Sequence, residues 1–215
     1  MIRDNREYRN FASFNIVETR AEGENEEKSL IVEGYASTFE TYDLFDFGDE
    51  VYREKIERSA FDEADMSDVV FLRDHTGTVL ARTKNNLVSL SVDDGGLFTR
   101  TDLSKTEAAR SMYEDIKAKN YTQMSFAFVS DRDAEKWTEE RIDGKTIYTR
   151  SIGRISKLYD ISAVAFPANP TTEIGVSARS LFDGEIEKLK AERLEKEREI
   201  RRRQALALKL RFKGD

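Results

Sequence analysis

The chain has 215 residues, 39% hydrophobic and 36% charged, with 13 Phe and 8 Tyr, which suits one hydrophobic core with an appendage and argues against general disorder. It has no cysteine and one histidine, which excludes disulfides, thiolate zinc sites and cysteine nucleophiles, and leaves a histidine metal site without a second ligand of its kind. The net charge of −7 is uneven: residues 185–215 hold 11 Lys/Arg against 7 Asp/Glu and the rest hold 24 against 35, a tail of +4 on a body of −11, and such a body repels nucleic-acid phosphate.

In chain order, residues 1–27 read as a loosely ordered lead-in, with Phe14–Arg20 (FNIVETR) as a candidate first strand. The opening MIRDNREYRN lacks the apolar core of a secretory signal, and no apolar run reaches the length of a membrane span, so a soluble cytoplasmic protein with no membrane partner is expected. Ser29–Phe39 is rich in β-branched and aromatic residues and predicts a strand. The acidic stretch ETYDLFDFGDE after it predicts a surface loop, and Glu54–Ala64 a short helix. Asp68–Leu72 is a short apolar run that predicts a buried strand leading to His75. LVSLSV and LFTRTDL flank Asp93-Asp94-Gly95-Gly96, a hairpin signal. Lys105–Lys119 predicts an amphipathic helix with Ser104 as N-cap and Glu107 completing a capping box.

Tyr121–Ser130 predicts a strand, a second hairpin is expected around Asp143-Gly144, and IGRISKLYDISAVAFPANP predicts a last strand stopped by Pro167 and Pro170. From about Leu181 the chain turns to Glu, Lys, Arg and Leu, with favourable helix pairs at Glu192/Lys196, Glu197/Arg201 and Glu199/Arg203. The expected organisation is a lead-in over 1–27, a body over 28–180 and a separable charged helix over 181–215. The expected fold class is α+β, mostly β: a largely antiparallel barrel or sandwich with a few helices.

Three residues invite a chemical reading. His75 ends an apolar run and opens a Gly-containing loop; histidine is the usual general base near neutral pH, though a lone one reads equally as an ordinary surface residue. Ser125 lies in mid-strand, sharing a face with Gln123, Ala127 and Val129, where small neighbours leave room for a substrate; a hydrogen-bonded core serine is the plainer alternative. Asp160 shares its strand face with Leu158, Ser162, Val164 and Phe166, an expensive place for a carboxylate unless it is paired; it could orient His75, or be a strand-end carboxylate reaching solvent or an arginine such as Arg154.

The blocks GYASTF (Gly34–Phe39), SAFDE (Ser59–Glu63), DHTG (Asp74–Gly77), QMSFAF (Gln123–Phe128) and YDISAVAFPANP (Tyr159–Pro170), in that order, resemble the prohead maturation proteases of tailed phages over roughly residues 29–178. The resemblance implies a fold related to herpesvirus assemblin, a closed barrel ringed by helices. It also implies a serine endopeptidase that cleaves scaffolding segments and capsid protein inside the assembling procapsid, in the host cytoplasm, often with self-cleavage. It places the family's histidine on His75 and its serine on Ser125. The third, acidic member falls on Asp160, where glutamate is the more usual residue. The resemblance suggests an arginine-assisted oxyanion hole, to which Arg150 or Arg154 could add charge, with ordinary strand-surface residues as the plainer reading of both; it also suggests a homodimer, and no metal or organic cofactor. The rival reading is a non-enzymatic assembly protein that binds a coat or portal partner through its charged helix.

Overall fold

The computed structural model describes residues 6–13, 15–18, 29–165 and 173–211. Alternation of buried with half-exposed residues drives most of these into strands. In chain order they are β1 (Glu7–Ser13), β2 (Asn15–Glu18), β3 (Leu30–Thr38), β4 (Tyr42–Asp46), β5 (Glu50–Ile56), β6 (Val70–Arg73), β7 (Thr76–Arg82), β8 (Val88–Val92) and β9 (Gly96–Asp102). Helix α1 (Glu107–Lys117) follows, then β10 (Gln123–Ser130), β11 (Glu135–Ile142), β12 (Lys145–Ile152), β13 (Ile155–Val164) and the long helix α2 (Glu173–Arg211). No helix among the described residues is long and apolar enough to cross a membrane.

The strands form three sheets, ordered β1-β10-β13-β6-β7, β11-β12-β5-β4 and β2-β3-β9-β8. Pairing is antiparallel except between β12 and β5 and between β13 and β6. The mostly-β α+β class therefore stands, but the closed barrel does not: the described strands leave each sheet with two edges. Face alternation reports which side of a strand is buried, and both a barrel and packed sheets satisfy it. Closure depends on long-range edge pairing that no local pattern encodes. The main core lies between the sheets, with Val32, Ile56, Phe71, Leu97, Met124, Phe126, Phe128 and Ile161 among its members and Met112 and Ile116 of α1 against it.

Four local expectations are corrected. Residues 7–13 of the lead-in form β1, paired along β10. The acidic stretch expected as a loop contains β4, whose Phe45 is buried. Glu54–Ala64 is not a helix: its first residues belong to β5, and a short 3-10 turn covers Arg58–Phe61. The charges of VYREKI mimic a helix, but Glu54 points inward at 0% exposure beside buried Tyr52 and Ile56. The cap of α1 is Thr106, whose hydroxyl oxygen accepts the Ala109 N–H at 3.1 Å, rather than Ser104. The Ser104 N–H is already held by Asp102 Oδ1 at 2.9 Å, so the helix starts later. Both hairpins form where expected. In the first, Gly96 adopts φ +148°, and a Cβ there would meet the Ser37 carbonyl oxygen at 1.9 Å, so only glycine fits.

The charged helix is not wholly apart from the body. The expected division at 180/181 falls inside α2, and Phe182 and Ile186 are buried with Phe45, Tyr52 and Tyr148. The Phe182 ring stacks on Tyr52 at 5.3 Å, and the Tyr52 hydroxyl donates to Asp183 at 3.1 Å. Beyond Lys190, residues 191–206 are exposed. Phe182→Ala is therefore expected to destabilise the protein by about 3 kcal/mol. Ending the chain after Lys196 should change stability by less than about 0.5 kcal/mol. Urea unfolding of both variants checks this; equal midpoints would show that α2 contributes nothing to the body.

Candidate active site

The five-stranded sheet sets the site by register. On β10 the core face is Met124, Phe126 and Phe128, all fully buried; Ser125 and Ala127 point the other way. Antiparallel pairing puts Ser125 opposite Ser162 and Ala127 opposite Asp160 on β13. Directly opposed residues share a face, so Ser125, Ser162 and Asp160 form one small polar patch on a strand pair whose reverse side carries Met124, Phe126, Phe128 and Ile161.

His75 reaches that patch from a turn. β13 pairs in parallel with β6, with Ser162 beside Leu72, and β6 returns into β7 through Asp74 and His75. Both turn residues have positive φ, 47° and 58°. Two-residue hairpins of this hand usually use Asn-Gly or Asp-Gly, because residues with a Cβ disfavour the left-handed region by about 1–2 kcal/mol. Tertiary bonds hold the turn in place: Asp74 N–H donates to Ala163 O at 3.0 Å, and the Asp74 carboxylate accepts from Tyr121 Oη at 3.2 Å and Ala165 N at 3.3 Å. His75 N–H donates to Ser162 Oγ at 3.2 Å.

The imidazole then bridges the other two residues. His75 Nδ1 lies 2.6 Å from Asp160 Oδ1, and Nε2 lies 2.6 Å from Ser125 Oγ. Ser162 Oγ donates to Asp160 Oδ1 at 2.7 Å, so Ser162 joins the turn backbone to the carboxylate; the sequence placed it on the face of Asp160 but gave it no task. The carboxylate can only accept, so it takes the Nδ1 proton and leaves the Nε2 lone pair facing the serine. Asp160 and His75 are nearly enclosed, with 4% and 10% of their side chains exposed. Sequence reasoning named all three residues, and the fold brings all three together. Arg154, the alternative partner of Asp160, instead pairs with Glu63 and Asp131.

A family profile described as Caudovirus prohead serine protease matches residues 15–185, which includes His75, Ser125 and Asp160. The chain belongs to that family. The capsid assembly protease of bacteriophage T4 aligns with 76% of this chain and 100% of its own, at 9% identity and a TM-score of 0.39. No curated protein matches the sequence. The family match begins at the first residue of β2, so β1 precedes it.

Behind the polar patch, on the core face, lies a buried ion cluster. Arg150 and Glu54 are both 0% exposed. Arg150 donates to Glu7, Glu54, Glu135 and Ser130. Arg9 grips Glu54 with two bonds, at 2.5 and 2.7 Å, and reaches Glu7 at 2.9 Å. Burial alone would raise the Glu7 carboxyl, but the Arg150 hydrogen bond and the charges of Arg9 and Arg150 outweigh it and bring it down to about 2. Burial and the neighbouring Glu54 carboxylate push the Tyr42 phenol well above its ordinary range. Arg150 is thus neither a surface residue nor free to assist an oxyanion: its guanidinium is committed to carboxylates, and Arg154 is likewise held by Glu63 and Asp131.

Proposed function

We propose that this chain is a serine endopeptidase of prohead maturation in which Ser125 is the nucleophile, His75 the general base and Asp160 the group that orients the base. The observation that carries the reading is the unbroken run Asp160 Oδ1–His75–Ser125 Oγ, with both links at 2.6 Å. Ser125 Oγ forms a bond to the scissile carbonyl carbon while its proton passes to His75 Nε2. The tetrahedral intermediate collapses as the C–N bond breaks, and the Nε2 proton goes to the leaving amine. Water then repeats the sequence on the acyl-enzyme, with His75 again taking and returning the proton. Asp160 fixes the imidazole tautomer and stabilises the imidazolium, and Ser162 holds Asp160 and the turn in register. The substrates are scaffolding segments and capsid protein within the assembling procapsid, and the chain's own flanking segments where they can reach the site. A non-enzymatic assembly role would leave this run of three side chains without a purpose.

The test is labelling by a fluorophosphonate, which reacts with an activated serine. Ser125 should be the labelled residue, and His75→Ala should abolish labelling. Asp160→Asn is expected to slow it by about 10²–10⁴-fold and Ser162→Ala by roughly tenfold. Label on another serine, or label unaffected by His75→Ala, would sink the assignment.

A further inference from the structure

The nucleophile is covered. Ser125 is 0% exposed, and what lies over it is the chain's own β1. Asn10 stands opposite Ser125, and the Ser125 hydroxyl donates to the Arg9 carbonyl oxygen at 3.0 Å. One hydroxyl proton therefore has two acceptors, Arg9 O and His75 Nε2. Tyr8, opposite Ala127, points to the patch and meets the His75 ring edge-on at 4.6 Å. Arg9 points the other way and inserts its guanidinium between Glu54 and Glu7. The peptide unit over the nucleophile is thus Arg9–Asn10, in an edge strand antiparallel to β10, which is how extended peptides add to sheets. Its oxygen, not its carbon, faces Ser125 Oγ, so β1 occupies the place without presenting a bond for attack.

We propose that β1 holds the place of the substrate, and that the edge of β10, once β1 leaves it, takes an extended segment with Arg or Lys immediately before the scissile bond, its cation seated on Glu54. The proposal rests on Ser125 being the nucleophile. Its charge logic is local. With β1 in place, Glu7, Glu54 and Glu135 face Arg9 and Arg150; when β1 leaves it takes Glu7 and Arg9, so Glu54 and Glu135 share only Arg150. The cluster carries one negative charge in excess with β1 or without it, but the emptied position leaves Glu54, already desolvated, without the guanidinium that held both its oxygens. A basic side chain replaces that partner, an apolar one leaves Glu54 without it, and an acidic one sets a second negative charge beside it, so discrimination comes from repulsion as well as attraction. β1 also lies outside the stretch matched by the family profile, whereas Glu54 lies inside it.

The experiment uses the full chain as wild type, Arg9→Ala, Asn10→Pro and Glu54→Gln, with a fluorophosphonate and a peptide library varied at the residue before the scissile bond. Asn10→Pro loosens the β1 ladder without touching the ion cluster, which covers the case that Arg9→Ala disturbs the fold. Either β1 variant should label at Ser125 at least about tenfold faster than wild type and cleave after Arg or Lys at least about tenfold better than after Leu or Glu. In the Asn10→Pro background, Glu54→Gln should lower the ratio of kcat/KM for the basic peptides to that for the Leu peptide. Unchanged labelling in both β1 variants, or cleavage that favours acidic or apolar residues, overturns the proposal while leaving Ser125 as nucleophile. Absence of Ser125 label in every form overturns the nucleophile assignment, and this proposal with it.

Discussion

Ser125→Ala is expected to reduce peptide-bond cleavage by about 10⁴-fold or more. The hydroxyl is the only group on its strand face that both touches His75 Nε2 and can form a bond to a carbonyl carbon. His75→Ala should cost a similar factor, because without the imidazole the serine proton has no base within reach. The double variant should be no worse than either single one, since groups that act as a unit do not add. The fold should survive Ser125→Ala, which loses one hydroxyl and its bonds to Arg9 O and His75, on the order of 1 kcal/mol. Single-turnover rates on a protein substrate, with thermal unfolding alongside, measure both parts. A Ser125→Ala protein that cleaves at the wild-type rate would put the nucleophile elsewhere. A double variant worse than both singles by their product would mean that the two residues act independently.

The second large effect is on stability. Arg150→Met removes one guanidinium from three carboxylates, Glu7, Glu54 and Glu135. Buried ion pairs contribute little net stability against an apolar replacement of the whole set, but removing a single partner strands the others in a dry site. The expected loss is about 3–5 kcal/mol, or roughly 10 °C in Tm for a chain of this size. Replacing an exposed partner such as Arg154, on Glu63 and Asp131, should cost less than about 1 kcal/mol. Acid reaches the same cluster by another route. The folded Glu7 carboxyl, at about 2, lies below its ordinary 4.5, so its contribution is whole above 4.5 and fades as pH falls toward 2. In Arg150→Met that fading should start from a lower plateau and span a narrower pH range. A Tm within a degree of wild type for Arg150→Met would show that the cluster relaxes or hydrates without cost.

The site was easier to read than its cover. His75, Ser125 and Asp160 each sat in a strongly patterned strand or at a strand end, and alternation alone assigned Ser125 and Asp160 to definite faces. Their meeting depends on β13 lying between β10 and β6, a long-range arrangement that local pattern does not carry and that only the family resemblance supplied. β5 was missed because its inward residue, Glu54, is charged: its two arginine partners lie 45 residues before it and 96 after it, so nothing nearby in sequence marks it as buried. β1 was missed for the same reason. EYRNFAS reads as polar lead-in until Glu7 and Arg9 are seen to have buried counter-charges. The α2 anchor was overlooked because Phe182 and Ile186 form a single apolar turn at the head of a helix otherwise free of a stripe.

The placement of β13 also bears on the order in which the protein is made. It is the last strand among the described residues and the middle one of its sheet, flanked by β10 and β6. Asp160 is 85 residues from His75, and β13 meets β6 in parallel, so no hairpin can bring the two together early. Until β13 is synthesised and inserted, His75 has neither its carboxylate nor the Ser162 hydroxyl that secures its turn, and nothing orients the imidazole toward Ser125. Pairings of such separation are slow to form, because loop-closure entropy must be met before any contact offsets it. On the proposed assignment, a partly made chain on the ribosome carries Ser125 and His75 without a working site, and competence to cut arrives with the closing of the central strand.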